Sequence, residues 1–176
     1  ACSDNVTVVR ADLSRPATLP AALRYVDVVV HFAGRLFAPR PETFLHETNV
    51  AYVHNLVDAS ISAGAGKFIL ISFPHVEGES TPENPAQTSL QGYPNSVHAQ
   101  TRLAAEKYLF KASAGTKLIP TVLRPGMIYA RGVLMIDAAR WLLQRRLLGV
   151  WSDPTWIHLI SLTDFLDATI AAIEKP

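Results

Sequence analysis

The chain has 176 residues, of which 49% are hydrophobic and 18% are charged, and its formal net charge is +1 at pH 7. A chain of this length and composition can bury one compact core, which predicts a single domain and excludes a disordered polypeptide. Because the basic residues are scattered, apart from Arg145-Arg146, no patch suits a nucleic acid or a membrane surface, and a small-molecule substrate is the expected partner.

Cysteine content and hydropathy indicate the cellular compartment of the protein. Cys2 is the only cysteine, so neither an intrachain disulfide nor a cysteine-based metal site can form, and we expect no bound metal. The longest apolar runs are far shorter than the roughly 20 residues that span a bilayer. The first residues lack the basic and apolar regions of a secretory signal. These features predict a cytoplasmic protein without a membrane segment.

Short β-branched segments alternate with helical patterns in the first part of the chain. Val6 to Arg10 predicts a strand, followed by the turn Ala11 to Ser14. A short helix from about Leu19 to Arg24 precedes a second strand, Tyr25 to Phe32, whose continuous hydrophobicity indicates burial on both faces. From Pro41 to Ala63 apolar residues recur every three or four positions, which predicts one long helix with Pro41 in its first turn.

The alternation continues in the rest of the chain. Lys67 to Phe73 predicts another buried strand, and Pro74 to Pro94 predicts a long loop that is functional or mobile. Asn95 to Leu109 is rich in good helix formers and predicts a helix capped by Ser96. The remaining predicted elements are a strand from Leu118 to Leu123, the turn Arg124-Pro125-Gly126, a helix from Leu134 to Leu147, a strand from Trp156 to Ile160, and a helix from Asp164 to Glu174 capped by Thr163.

Strands that alternate with helices at this spacing predict an α/β fold with a parallel sheet and helices on both faces. Ligands of such sheets bind beyond the carboxyl ends of the strands. The candidate site residues are therefore those that end the predicted strands: Asp12, Phe32-Ala33-Gly34, Ser72-Phe73 and Arg124-Pro125-Gly126.

One face of the predicted helix from Asn95 to Leu109 carries His98, Arg102 and Glu106, each one turn apart. This spacing presents an imidazole and a guanidinium together to whatever lies opposite. The alternative is an exposed polar surface, since a His/Arg pair four residues apart is common on exposed helices.

Several segments in order resemble the extended short-chain dehydrogenase/reductase family, which includes nucleotide-sugar epimerases and dehydratases, over nearly the whole chain. The matching segments are Ala11-Asp12-Leu13, His31-Phe32-Ala33-Gly34, Thr48-Asn49-Val50, Phe68-Ile69-Leu70-Ile71-Ser72, Leu103-Ala104-Ala105-Glu106, Leu123-Arg124-Pro125-Gly126-Met127-Ile128-Tyr129 and Ile157-His158-Leu159-Ile160. The resemblance implies a Rossmann-like fold and NAD or NADP as cofactor. It also implies a homodimer, because family members often pair through the two helices that correspond to Pro41–Ala63 and Asn95–Leu109.

The resemblance assigns the cofactor to residues near the strand ends. Asp12 and Leu13 correspond to the residues at the adenine ring, although Asp12 has the alternative role of a turn residue bonding its own backbone. His31, on a buried strand, is interpreted as a core histidine. The complete assigned set is Asp12, Leu13, Phe32, Ala33, Gly34, Ser72, Arg102, Pro125, Gly126, Met127 and Ile128.

The catalytic positions depart from the family. Its members carry Tyr-x-x-x-Lys on the helix and a Ser or Thr after the preceding strand; in this register His98 replaces the tyrosine, Arg102 the lysine and Phe73 the hydroxyl. A neutral His98 can transfer a proton, since an unperturbed imidazole titrates near pH ~6.5. Arg102 keeps the positive charge and is interpreted as a cofactor clamp. Phe73 supplies no hydrogen-bond donor.

The family's opening feature, a strand, a Gly-x-x-Gly-x-x-Gly turn and a helix, has no counterpart among the nine glycines. Val6 to Leu13 instead resembles the family's third strand. We therefore expect residues 1–176 to be a partial NAD(P)-binding domain that lacks the N-terminal βαβ unit and the C-terminal substrate part. The choice between NAD and NADP stays open.

Three functions remain consistent with these residues. The first is an NAD(P)-dependent epimerase, dehydratase or dehydrogenase acting on a hydroxyl or carbonyl substrate, such as a nucleotide sugar or, as in the related hydroxysteroid dehydrogenases, something more apolar. The second is a catalytically silent relative that binds NAD(P) as a redox sensor. The third is a protein-interaction module whose partner surface comprises Trp141, Leu142, Leu143, Trp151 and Trp156.

Overall fold

The structure is a computed structural model that describes residues 5–34, 39–147, 149 and 157–175. Helices and strands alternate along the described chain. In order they are α1 (Leu19–Ala22), β1 (Val28–His31), α2 (Tyr52–Ala63), β2 (Lys67–Ile71), α3 (Val97–Ser113), β3 (Ile119–Leu123), β4 (Met127–Tyr129), α4 (Leu134–Gln144), β5 (Leu159–Ser161) and α5 (Leu162–Glu174).

The strands form two parallel sheets. The larger has the order β1-β2-β3, with Val29 beside Phe68 and Ile69 beside Thr121, and the smaller pairs β4 with β5. A crossover through a helix joins each neighbouring pair of the larger sheet, as parallel strands require. The predicted parallel α/β architecture is therefore confirmed.

Helices cover both faces of the larger sheet. Phe68 and Leu70 of β2 belong to the hydrophobic core together with residues of α2 and α3. Lys67, which points to the opposite face, donates from Nζ to the backbone oxygen of Ala172 in α5, at 2.9 Å. Successive side chains of a strand alternate between faces, so α5 lies across the sheet from α2 and α3. The core comprises Leu19, Leu23, Val29, Val53, Val57, Ala65, Phe68, Leu70, Ala105, Leu109 and Leu118.

The prediction that the strand from Tyr25 to Phe32 is buried on both faces is wrong. Only Val29 and His31 of β1 are buried, whereas Val28 and Val30 are partly exposed. Within the described residues, β1 is an edge strand of the larger sheet and has a neighbouring strand, β2, on one side only. β2 lies between two strands, and the side chains of Phe68, Ile69 and Leu70 are fully buried.

The first predicted strand, Val6 to Arg10, is not observed. These residues form no regular secondary structure, and Val8 is 84% exposed. A strand requires a hydrogen-bonding neighbour, and none of the described strands pairs with residues 6–10. The strand predicted for residues 6–10 from their β-branched composition is therefore wrong.

The long helix predicted from Pro41 to Ala63 is divided. A 3₁₀ turn, Pro41–Thr43, and a π turn, Glu47–Ala51, precede α2. Phe44 between them has non-helical dihedral angles, φ −135° and ψ −21°. The apolar spacing correctly predicted which side is buried but did not predict these two interruptions.

Other boundaries also differ from prediction: α3 ends at Ser113 rather than at Leu109, and β4 was not predicted. The last helix begins two residues earlier, at Leu162, and is capped by Ser161, whose Oγ accepts from Asp164 N at 3.0 Å, rather than by Thr163. The helix predicted to Leu147 ends at Gln144. The strand predicted from Trp156 begins at Leu159, and Trp156 itself lies outside the described residues. In the described part of the chain, no helix is both long and apolar enough to cross a membrane.

Candidate functional site

Helix α3 positions the candidate site. It begins after Ser96, whose Oγ accepts a hydrogen bond from Ala99 N at 3.2 Å, as the sequence predicted. His98, Arg102 and Glu106 share the face that packs toward the strands: Arg102 is 7% exposed and Glu106 is fully buried. The alternative of an exposed polar helix surface is therefore excluded.

Arg102 is held between two strand ends. Its Nη1 donates to the backbone oxygen of Ile71 at 3.1 Å, and its Nη2 lies 2.7 Å from the point where a Cβ on Gly34 would be. Its Nε is buried and has no hydrogen-bond partner within the described residues. Burial lowers the pKa of Arg102, and the carboxylate of Glu106 opposes that shift.

His98 lies against the aromatic ring of Phe73. The rings of His98 and Phe73 meet edge to face with centroids 4.6 Å apart, and His75 lies on Phe73 as well, at 5.1 Å. Nε2 of His98 is buried and unpartnered among the residues that the structure describes. Burial, and then the positive charge of Arg102, lowers the pKa of His98, so the imidazole is neutral near pH 7.

Both the hydroxyl and the backbone N–H of Ser72 form hydrogen bonds within the protein. Its Oγ donates to Glu106 Oε1, and its backbone N–H donates to the oxygen of Leu123 at 2.7 Å. Glu106 also pairs with Arg124, whose Nη2 is 2.5 Å from Glu106 Oε2. Ser72 thus joins the end of β2 to α3 and, through Glu106, to the residue after β3.

A first cleft of about 780 Å³ lies beside the end of β1. It brings together four of the residues assigned to the cofactor, Asp12, Leu13, Ala33 and Gly34. Its complete lining is Arg10, Ala11, Asp12, Leu13, Arg15, Thr18, Ala33, Gly34, Thr48 and Tyr52.

Asp12 in this cleft also forms the local turn hydrogen bonds that were the alternative to cofactor binding. Its Oδ1 accepts from the backbone N–H of Ser14 at 2.9 Å and from Ser14 Oγ at 2.7 Å. These two hydrogen bonds lower the pKa of Asp12. Phe32, in contrast, packs edge to face on Phe165, with ring centroids 6.1 Å apart.

A second cleft of about 460 Å³ lies beyond the ends of β2 and β3. Of the assigned cofactor residues it contains Gly126, while Met127 and Ile128 lie in β4 and Pro125 immediately precedes Gly126. Five of the eleven assigned residues therefore line these two clefts, four in the first and Gly126 in the second. The lining is Pro74, Glu77, Ser80, Thr81, Pro82, Pro85, Ala86, Thr88, Arg124, Gly126 and His158.

Glu77 was not assigned a site role from the sequence, and Arg124 was a candidate only as a residue that ends a predicted strand. The available signal was Glu106, because a carboxylate on a buried helix face requires a cationic partner. Arg124, at the end of a predicted strand, was a candidate for that partner. Among the described residues, no group of three or more His, Cys, Asp or Glu side chains is arranged to hold a metal ion.

Comparison with known proteins gives two kinds of relative. A UDP-glucose 4-epimerase of Vibrio cholerae is 29% identical over 174 residues, which cover 94% of this chain and 53% of the relative. A human 3 beta-hydroxysteroid dehydrogenase type 7 is 27% identical over 139 residues, which cover 72% of this chain and 38% of that protein. The chain therefore spans about half or less of the length of these relatives.

Solved structures share the fold. A UDP-glucuronic acid 4-epimerase from Bacillus cereus, in complex with UDP-glucuronic acid and NAD, matches with a TM-score of 0.82 and 21% identity over 99% of this chain and 57% of its own. RMD from Pseudomonas aeruginosa, complexed with NADPH, matches with a TM-score of 0.77 and 23% identity over 93% of this chain and 61% of its own. These likenesses show the Rossmann-like fold. Because the model of the NAD dependent epimerase/dehydratase family matches residues 1–176, the chain belongs to that family.

Proposed function

We propose that this chain binds NAD or NADP and acts on a hydroxyl or carbonyl group of a small-molecule substrate such as a nucleotide sugar. One observation carries the proposal: a buried helix face brings His98 and Arg102 to the strand ends, with Arg102 in direct contact with Gly34. A relative named for UDP-glucose and fold neighbours holding NAD or NADPH support the same chemistry.

The residues of the first cleft fit a dinucleotide. The cleft is large enough for part of such a ligand, it combines apolar walls with charged side chains, and Gly34 allows the backbone to approach closely. Arg102 has a buried, unpartnered Nε, and its Nη2 lies beside Gly34; a guanidinium suits a ribose or phosphate oxygen. The cofactor supplies hydride transfer when it is bound.

His98 is the proton-transfer group in this proposal. Its lowered pKa keeps the imidazole neutral near pH 7, so it can accept the proton of a substrate hydroxyl as the hydride leaves. The ring of Phe73 packs edge to face with the imidazole. Because Phe73 cannot donate to a developing oxyanion, and loss of one such donor typically costs about a hundredfold to a thousandfold in rate, we expect slow turnover.

A catalytically silent NAD(P)-binding sensor is the second candidate. It is favoured by Ser72, whose hydroxyl is bonded to Glu106 and not free to replace the missing donor. A hydroxysteroid substrate is the alternative within the catalytic proposal, supported by the relative of that name. For the interaction module, Trp141 is 49% exposed and Leu143 60% exposed, whereas Trp151 lies outside the described residues.

Titration of the full chain with NADH and NADPH tests the proposal. Binding of either cofactor, followed by turnover of UDP-glucose or a 3β-hydroxysteroid that falls at least about tenfold in His98→Ala, would support the catalytic function. The control is His46→Ala, which removes an exposed imidazole. Cofactor binding without turnover would identify the silent sensor, and absence of binding would contradict both.

A homodimer through α2 and α3 is part of the proposal. These helices form one joined surface: Tyr108 Oη donates to Asp58 Oδ1 at 2.6 Å, and the rings of Tyr108 and His54 stack 3.5 Å apart. Phe110 is partly exposed on α3. Light scattering should give twice the chain mass for the wild type and the chain mass for Phe110→Asp; a monomeric wild type would contradict the dimer.

We also propose a cytoplasmic location, supported by the single cysteine of the sequence. Fractionation of cells expressing the full-length protein tests it, and recovery from an oxidising compartment would contradict it.

A further inference from the structure

Arg124 lines the second cleft, but its guanidinium is occupied by the protein itself. Nη1 donates to Glu77 Oε1 at 2.5 Å, and Nη2 donates to Glu106 Oε2 at 2.5 Å and to the backbone oxygen of Ser89 at 3.1 Å. Nε lies 3.1 and 3.2 Å from the two oxygens of Glu106. Because two carboxylates face one guanidinium, Arg124 has little capacity left for an anionic ligand.

Burial makes this group different from an ordinary surface ion pair. The side chain of Glu106 is fully buried, and those of Arg124 and Glu77 are each 14% exposed. Exposed pairs are screened by water and contribute little, whereas removing one partner of a buried pair leaves an uncompensated charge. Ser72 donates to Glu106 as well, so Glu106 anchors the group in α3 and the core.

Glu77 is the point where the group reaches the loop that follows β2. Its Oε2 accepts from the backbone N–H of Gln87 at 2.8 Å. At the neck of the loop, a Cβ on Gly92 would lie 2.3 Å from Val76 O and 2.4 Å from Glu77 Cα, so the outgoing and returning limbs are in direct contact there. Arg124 holds the returning limb a second time, through Ser89.

The loop between these attachments has little structure of its own. Residues 78–94 contain no helix or strand, and the segment supplies one side of the second cleft. Its conformation therefore depends on the side chains that hold its two limbs. The cleft residues from this segment are Ser80, Thr81, Pro82, Pro85, Ala86 and Thr88.

We propose that Arg124, Glu77, Glu106 and Ser89 form a loop clamp that fixes residues 78–91 as the wall of the substrate subsite. Arg124 and Glu77 are then positioning residues: they shape the subsite without contacting the reacting atoms. This inference rests on the proposed function, because it takes the second cleft as the place where substrate binds.

The test is Glu77→Gln in the full chain, with Glu79→Gln as the matched control, because Glu79 is an exposed carboxylate of the same loop. Hydrogen exchange of the amides of residues 78–91 should become about tenfold faster in Glu77→Gln, since a charge-assisted hydrogen bond is lost, while exchange in α3 stays unchanged. Glu79→Gln should match the wild type. Unchanged exchange in Glu77→Gln would overturn the clamp.

Kinetics decides whether the clamp positions substrate or only stabilises the loop. We expect KM for UDP-glucose, or for a 3β-hydroxysteroid if that is the substrate, to rise about tenfold in Glu77→Gln with kcat changed less than about twofold. Faster exchange with an unchanged KM would overturn the positioning role.

Arg124→Lys is the second variant, chosen because it keeps a charge beside Glu106 but loses the planar fork. It should show the same pattern as Glu77→Gln in exchange and in KM, and wild-type behaviour in both would overturn the assignment of Arg124. Failure of the wild type to bind NADH or NADPH would contradict the proposed function, and the exchange measurement would still decide whether the clamp exists.

Discussion

Gly34 and Arg102 show how one missing side chain shapes the candidate site. Arg102 Nη2 lies 2.7 Å from the point where a Cβ of residue 34 would be, which is closer than van der Waals contact, and Arg102 Nη1 donates to the oxygen of Ile71. Glycine at position 34 therefore allows the guanidinium to lie directly beneath the backbone that ends β1. Space rather than turn geometry is the reason for glycine here.

Gly34→Ala is expected to displace the end of Arg102. The cost in unfolding free energy should be about 1 kcal/mol or less, since a flexible side-chain end can yield, whereas affinity for NADH should fall about tenfold. Urea denaturation and NADH titration measure the two effects. Gly149→Ala is the control, because no atom of the described residues lies within 4 Å of the added Cβ; equal losses in both variants would contradict the role of Gly34.

His31 has the core role that the sequence indicated. It is 3% exposed, its Nε2 has no partner among the described residues, and burial, followed by the charge of Arg102, lowers its pKa from 6.5 to about 4. Between these two pKa values the unfolded chain binds the proton more readily than the folded one. The contribution of neutral His31 to stability is therefore complete above pH 6.5 and is lost as the pH falls toward 4.

The free energy of unfolding of the wild type should fall between pH 7 and pH 4 by about 3 kcal/mol more than that of His31→Leu. Denaturant titrations at a series of pH values measure this difference. His46→Leu, at an exposed histidine, should follow the wild type. Parallel pH profiles for the wild type and His31→Leu would show that His31 is not held neutral by burial.

At the scale of an element, α5 shows how a helix boundary is decided. Ser161 ends β5 with extended dihedral angles, φ −68° and ψ 151°, and its Oγ both accepts from Asp164 N and donates to Asp164 Oδ2 at 2.7 Å. Thr163 is of a residue type that also caps helices, which is why the sequence favoured it. Because β5 ends at Ser161 and α5 begins directly after it, the cap is Ser161, two residues before Thr163.

Ser161→Ala should lower the free energy of unfolding by about 1 kcal/mol, the usual cost of losing a helix cap. Thr163→Ala, at an exposed position inside the first turn, should change it by less than about 0.5 kcal/mol. Urea denaturation of both variants beside the wild type measures the difference. A larger loss for Thr163→Ala than for Ser161→Ala would contradict the observed boundary.

At the scale of the whole molecule, cofactor binding and stability are linked. A ligand that binds only the folded chain raises the free energy of unfolding, by about 2.7 kcal/mol when its concentration is a hundredfold above Kd. We expect NADH to produce such an increase in the wild type, and a smaller one at the same concentration in Gly34→Ala. Thermal denaturation with and without NADH measures both, and an equal increase in the two proteins would place the cofactor elsewhere than beside Gly34.

The sequence alone determined the features that depend on neighbouring residues. Apolar periodicity predicted the parallel α/β sheet, and the Ser96 cap with the spacing of His98, Arg102 and Glu106 predicted α3 and the face that these three residues share. The resemblance found in these segments agrees with the family and with the fold. Local periodicity succeeds here because each helix or strand must bury its own apolar face.

Only the tertiary structure decided which side chains meet. Glu106 pairs with Arg124 across 18 positions and with Ser72 across 34, and Arg124 reaches Glu77 across 47. Of the assigned cofactor residues, four line the first cleft and Gly126 lines the second, and residues 6–10 pair with none of the described strands. Such contacts depend on where distant segments come to lie, which local residue patterns do not encode. The paired arginine and glutamates are therefore a property of the folded molecule.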